Sequence, residues 1–176
     1  MSAATIRPAT PADLPEIQRI YGHHVLNGLA SFEEIAPDLA EMTRRYTALI
    51  EAGYPYIVAE LDGKVVGYAY CGPYRPRPAY RYSVENSVYL APEAARKGIG
   101  RTLLTALIER ATALGKRQMV AVIGDSANHA SIGLHESLGF RRVGTIEGAG
   151  FKHGRWVDSV LMQRALGLGL TQPPSA

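Results

Sequence analysis

The sequence predicts an α/β fold: one mixed sheet flanked by helices, within a single domain over residues 1–170. Three observations lead there. Runs with the two-residue alternation of strands and stripes with helical spacing follow one another in the order β-α-α-β-β-β-α-β-α-β-β. The dipeptide Asp62-Gly63 separates two apolar runs, a strong hairpin signal. The stretch "ARKGIGRTLL", residues 95–104, sets glycines and basic side chains just ahead of a helical stripe.

Each element has its own reason. "TIRPA" reads as a short first strand. Thr10 is placed to cap the next helix, with Pro11 at its first position and Asp13 three residues on. Leu14, Ile17, Ile20 and Tyr21 carry that helix to about Asn27. "GLASFEEIAP" is a loop, and a second helix runs from roughly Asp38 to Ala52, closed by Gly53. "YPYIVAEL" and "KVVGYAYCG" are the hairpin strands. "PYRPRPAY" must be a loop, because its three prolines forbid regular pairing. "YSVENSVYL" is the next strand. Its alternation sets Val84, Asn86, Val88 and Leu90 on one side, Glu85, Ser87 and Tyr89 on the other. Leu103, Leu107, Ala111 and Leu114 form the stripe of the helix after the glycines, which Gly115 ends. "QMVAVIG" is nearly all apolar, as expected of a strand buried on both faces. "NHASIGLHESLGF" gives a short helix closed by Gly139, and "RRVGTIEGAG" and "RWVDSVLMQ" are the last two strands.

Composition sets the outer bounds. The 176 residues are enough for one domain with a real core, and 47% hydrophobic with 20% charged residues is ordinary for a globular protein. The formal net charge of +3 comes without a basic run or stripe, so nucleic acid is not an expected partner. The start of the chain lacks a signal-peptide pattern and no apolar run approaches a membrane span, so a soluble, cytoplasmic protein is expected, with no membrane partner. The one cysteine, Cys71, lies in an apolar strand, which suits a buried structural thiol and a reducing compartment. Residues 171–176, polar and proline-bearing, are expected to fray.

The glycine stretch fits neither of two common phosphate motifs. No glycine stands five positions before Gly100, so a P-loop fails; Leu103 occupies the third place of a dinucleotide fingerprint. What remains is a helix start built for a pyrophosphate, or a glycine-softened helix start with solvated charges. In the first reading, unpaired N–H groups and the helix dipole favour an anion. Arg96, Lys97 and Arg101 would add positive charge, and Gly98, Ile99 and Gly100 would let the ligand reach the backbone.

The strand–"RKGIG"–helix–strand–"N...S...LH...LGF" arrangement resembles the GNAT acyl-CoA N-acyltransferases. Their usual pattern at the turn is [QR]-x-x-G-x-[GA], from which this chain departs at Ala95. The later pattern is matched by Asn128, Ser131, His135, Gly139 and Phe140. "YSVENSVYL", "VAVIG" and "AGFKHGRWVD" are similar to the phosphinothricin and methionine sulfoximine N-acetyltransferase branch, over nearly the whole chain. The resemblance implies acetyl-CoA as co-substrate, no metal, a small amino-acid-like amine as acceptor and a homodimer. It also implies a central strand pair that splays, so that backbone groups of Val88, Tyr89 and Leu90 pair with the pantetheine arm. No histidine has metal-ligand spacing with carboxylates or cysteine.

Acetyl transfer to an amine needs a base, because an ammonium is not a nucleophile. Glu85 is the candidate. A mid-strand carboxylate is unfavourable unless it faces a wet cleft or finds partners, so the alternative is a salt-bridged or edge-exposed glutamate. The resemblance sets Asn128 near the thiol end of the cofactor and counts Ser131 among the cofactor-binding residues, and Asn128 also suits a helix cap. It sets His135 where many relatives carry a tyrosine acid; histidine there either donates a proton or only orients the thiolate. For the acceptor, Arg75 or Arg77 in the proline-stiffened loop offers a fork for a carboxylate. Phe32 resembles a pocket-wall residue, and Tyr82, at the start of the Glu85 strand, joins the acceptor candidates. Lys152 and Trp156 belong to the branch signature, either in the acceptor site or at a subunit contact. A protein N-terminus or polyamine as acceptor, or a non-catalytic acyl-CoA-binding module, are the rival readings.

Overall fold

In chain order the elements of the computed structural model, which describes residues 4–174, are β1 (Thr5–Pro8), α1 (Leu14–Asn27), α2 (Leu39–Glu51), β2 (Tyr56–Leu61), β3 (Lys64–Pro73), β4 (Ser83–Leu90), α3 (Ile99–Ala113), β5 (Gln118–Gly124), α4 (His129–Ser137), β6 (Arg141–Lys152) and β7 (Arg155–Ala165). The strands form one seven-stranded sheet in the order β1-β2-β3-β4-β5-β7-β6. Every neighbouring pair is antiparallel except β4 and β5. The expected order of elements is the observed one.

Local chemistry explains the boundaries. The Thr10 amide donates to the Asp13 carboxylate at 2.8 Å, but residues Pro11–Asp13 make a 3-10 turn, so α1 proper starts three residues later than expected. Arg7 forks onto Asp13 with two 2.8 Å hydrogen bonds and pulls its pKa down to about 2, tying β1 to the helix start. Asp38 caps α2 by accepting from the Glu41 amide. Asp62 and Gly63 both have positive φ, 50° and 76°, as the two-residue turn between β2 and β3 requires.

The two faces of the sheet differ. Gly67 and Leu90 pack toward Leu103, so α3 covers the face that carries Val84, Asn86, Val88 and Leu90. The opposite face is a floor of tyrosines. Tyr56 stacks on Tyr70 at 4.9 Å and Tyr68 on Tyr89 at 5.4 Å; Tyr46 of α2 and Tyr21 of α1 meet this floor edge-on. Each ring buries a large apolar area and gains from the offset and edge geometries. Cys71 is buried in β3, and burial pushes its thiol up to about 12, so it stays protonated.

Two burial expectations are corrected. β5 is not buried on both faces: Met119, Ala121 and Ile123 pack inward, while Val122 is 40% exposed, because no helix covers the other side there. Leu114 is 48% exposed, since it falls at the C-cap, past the last turn of α3 that touches the sheet. Among the described residues the outer strand β6 pairs only with β7, and it carries a bulge between Ile146 and Gly150. Val143, Ile146 and Phe151 are exposed along this hairpin, and Trp156 is 70% exposed with its ring edge-to-face on Phe151. Of the terminal segment, Thr171 bonds back to Leu168 and the Pro173 carbonyl accepts from Arg117; residues 175 and 176 lie outside the described residues. Among the described residues no helix is long and apolar enough to cross a membrane.

Candidate active site

The site begins where β4 and β5 part. They are paired in parallel over three positions only, Ser83–Glu85 with Gln118–Val120. Beyond Glu85 the strands diverge and leave a cavity of about 60 Å³ between them, lined in part by Asn86, Val88, Ala121, Asn128 and His135. It shares Val88, Tyr89, Asn128 and Ser131 with a groove of about 800 Å³ that runs on to the start of α3.

Strand parity decides which backbone groups meet this gap. The Ala91 amide bonds the Val66 carbonyl, and the β3–β4 register then makes Tyr89–Tyr68 a hydrogen-bonded pair. Tyr89 therefore directs its backbone to β3, and only Val88 and Leu90 turn theirs to the gap. The Leu90 carbonyl accepts from His24 Nε2 at 2.7 Å. The expected three-residue edge reduces to Val88 and the Leu90 amide.

At the far end, Arg96 and Gly98 take positive φ, 60° and 78°, and turn the chain into α3. Thr102 makes the first helical bond, to the Gly98 carbonyl. The amides of Ile99, Gly100 and Arg101 precede it, where a helix offers no acceptor. Arg96, Gly98, Gly100 and Arg101 line the groove, as does Ala95; the Lys97 and Ile99 side chains do not, Ile99 being packed into the core. Arg101 also donates to the Ser137 hydroxyl. The groove suits an extended ligand with an anionic group at one end and an amide-bearing arm at the other, which is the chemistry of an acyl-CoA.

On the α4 side, Asn128 accepts from the Ser131 amide at 3.2 Å and caps the helix. His135 is buried, with Nδ1 2.8 Å from the Ser131 carbonyl and Nε2 3.0 Å from Asn86 Oδ1. Both partners are acceptors, so the neutral ring donates to one of them at a time. Burial lowers its pKa, partly opposed by the Ser131 carbonyl.

On the tyrosine side, Glu85 is half-buried one position before the strands part. Burial raises its pKa, and Arg75 opposes the shift, so the two sit within electrostatic reach. Arg75 lies over the Tyr74 ring at 4.9 Å, and Arg81, not Arg75, covers Tyr82. The 28–37 loop closes this side. Phe32 lies against Gly150, where any side chain would meet its ring at 2.7 Å. Tyr21 bonds Ser31 and Glu33, and Arg45 holds the Glu33 carboxylate below its usual range. Lys152 is 2% exposed and donates to the Ser31 carbonyl at 2.7 Å. Its ammonium is engaged in holding this loop.

Sequence reasoning passed over His24, Asn27 and Gly28–Ala30, which line the groove, and Asn86. The sequence signal for Asn86 was a polar residue on the inward side of a strand; for His24 it was one helical turn from Tyr21 on the sheet-facing side of α1. Among the described residues no group of three His, Cys, Asp or Glu side chains is arranged to hold a metal.

Residues 6–161 match the model of the acetyltransferase (GNAT) domain. The chain is 53% identical over 172 residues to a phosphinothricin N-acetyltransferase of Alcaligenes faecalis, covering 98% of this chain and 87% of that protein. It is 46% identical to an L-methionine sulfoximine/L-methionine sulfone acetyltransferase of Pseudomonas aeruginosa, over 92% and 94% of the two chains. A crystal structure of a GNAT superfamily phosphinothricin acetyltransferase from Sinorhizobium meliloti in complex with AcCoA superposes with a TM-score of 0.96 at 51% identity, covering 99% of this chain and 94% of that one.

Proposed function

The chain belongs to the GNAT acetyltransferase family, and from that premise we propose that this acetyl-CoA-dependent N-acetyltransferase acts on the α-amine of a small L-amino acid analogue of the phosphinothricin or methionine sulfoximine type. The observation that carries the reading is the half-buried Glu85 beside the fork, with Arg75 in electrostatic reach. Glu85 takes a proton from the acceptor ammonium through a water, and the freed amine attacks the thioester carbonyl. The amide bond forms as the carbon–sulfur bond breaks, the thiolate leaves with the electron pair, and the second proton of the amine nitrogen passes to it by way of water. Val88 and Leu90 hold the pantetheine arm, and the first-turn amides of α3 hold the pyrophosphate. Alignment of the two reactants supplies much of the acceleration. His135, buried between the Ser131 carbonyl and Asn86 Oδ1, shapes the thiol end rather than moving a proton.

A screen of free amino acids, peptide N-termini and polyamines for acetyl-CoA-dependent thiol release tests the acceptor. Turnover confined to peptides or polyamines would replace the amino-acid reading; cofactor binding without turnover on any amine would leave a binding module.

Arg75 is assigned to the acceptor's carboxylate, which it grips as a bidentate fork. Pro73, Pro76 and Pro78 stiffen its loop and reduce the ordering needed on binding. Arg75→Lys keeps the charge and loses the fork. It should raise KM for methionine sulfone while leaving the acetyl-CoA KM nearly unchanged. An amide in place of the substrate carboxylate should then harm the parent enzyme far more than the variant; equal harm would remove Arg75 from this role.

The free edge of β6, with Val143, Ile146, Phe151 and Trp156 exposed beside it, supports a homodimer through this hairpin. Light scattering should give twice the chain mass, and Trp156→Glu should halve it. A monomeric parent chain would end this proposal.

A further inference from the structure

Parallel strands that separate within a sheet need something to fix where the separation begins, since each further rung would gain two backbone hydrogen bonds. Here the last paired position is Glu85 with Val120. The next residue on β4 is Asn86, 6% exposed and on the face turned to α4. Its Nδ2 donates to the Val120 carbonyl at 3.2 Å, the carbonyl at which the ladder stops. Its Oδ1 faces His135 Nε2 at 3.0 Å, on a ring whose Nδ1 stands 2.8 Å from the Ser131 carbonyl of α4. One side chain thus links β4, the last rung on β5 and the helix that Asn128 caps.

We propose that Asn86 is a positioning residue that fixes where β4 and β5 part, and so holds the Val88–Leu90 backbone open for the pantetheine arm. The proposal rests on the acetyl-CoA reading of the groove. An aliphatic residue here would leave the His135 ring and the terminal carbonyl without this shared partner, in a site where an unmet polar group is strongly unfavourable. The side chain would then no longer stop β5 from closing on β4, and closing would consume the backbone groups that the cofactor needs.

Calorimetry with acetyl-CoA alone, together with KM for both substrates, tests this in Asn86→Ala and Asn86→Asp. The aspartate variant has nearly the same shape and keeps an oxygen for His135, but sets an oxygen against the Val120 carbonyl. Both variants should weaken acetyl-CoA binding roughly tenfold, the effect of one buried polar group left unmet. The acceptor KM should hold within about twofold, a difference too small to reflect a lost contact. Should the alanine variant not fold, the aspartate variant decides. Equal changes in the two KM values, or acetyl-CoA affinity unchanged in a folded variant, would overturn the proposal. No acetyl-CoA binding by the parent chain would remove the groove reading instead, and the fork role with it.

Discussion

Replacing Glu85 by glutamine is expected to lower kcat at neutral pH by roughly 10²–10⁴-fold, the usual contribution of a general base. Acetyl-CoA binding should hardly change. Raising the pH should recover part of the loss, because more acceptor is then already deprotonated. As the proposed base, Glu85 must be ionised to act in the parent enzyme. Burial sets Glu85 above the ordinary carboxylate range, so kcat/KM should fall as the pH drops through that raised value, and the glutamine variant should lack this limb. Stability should move the other way. A carboxyl whose folded pKa is raised disfavours the folded state above that pKa, and contributes nothing below the unfolded value, where it is protonated in both states. Glu85→Gln should therefore melt higher than the parent near neutral pH and converge with it in acid. A kcat equal to the parent's across the pH range would take the base role away from Glu85.

The second large effect is expected at Gly124, which ends β5. A Cβ there would collide with the Leu29 carbonyl oxygen and lie 3.2 Å from Ala30 Cα. These contacts are backbone, so no side chain can swing aside. The glycine is needed for close approach, not for an unusual torsion. Gly124→Ala must push the 28–31 segment off the end of β5. Overpacking of this kind costs about 1–3 kcal/mol, which for a domain of this size lowers Tm by roughly 3–10 °C. Gly28, Leu29, Ala30 and Gly124 also line the groove, so the acetyl-CoA KM should rise along with the loss of stability. A variant with parental Tm and acetyl-CoA KM would show that this contact is not needed.

What the sequence made legible depended on distance along the chain. Strand and helix order follows from local periodicity. The turn at Arg96–Gly98 follows from glycine spacing, and the α4 cap from Asn128 with Ser131 three residues on. The Glu85 side of β4 follows from alternation. Contacts between distant segments left no such trace. Gly124 and Leu29 meet across almost a hundred positions, as do Lys152 and Ser31 across 121. The exposed outer face of Val122 depends on where the helices fail to reach, which an apolar run does not record. Lys152 stood out as part of a signature, but only packing revealed that its ammonium is turned to a loop carbonyl. The tyrosine floor needed the β2–β3–β4 register before its rings could be set side by side.

Trp156 is the one tryptophan of the chain, and it stands at the β6–β7 hairpin with most of its ring in water. The intrinsic fluorescence of the protein excited at the indole band is therefore a local signal from this hairpin, not a report on the core. Its emission should lie near that of a hydrated indole and be readily quenched by acrylamide in the isolated chain. If two copies meet through β6, dilution through the dissociation range should shift the emission red and open it to the quencher, while the tyrosine signal from the far face of the sheet stays unchanged. The same property warns against following thermal unfolding by tryptophan emission alone: a ring already in water has little further to travel, and the transition would be seen better by circular dichroism.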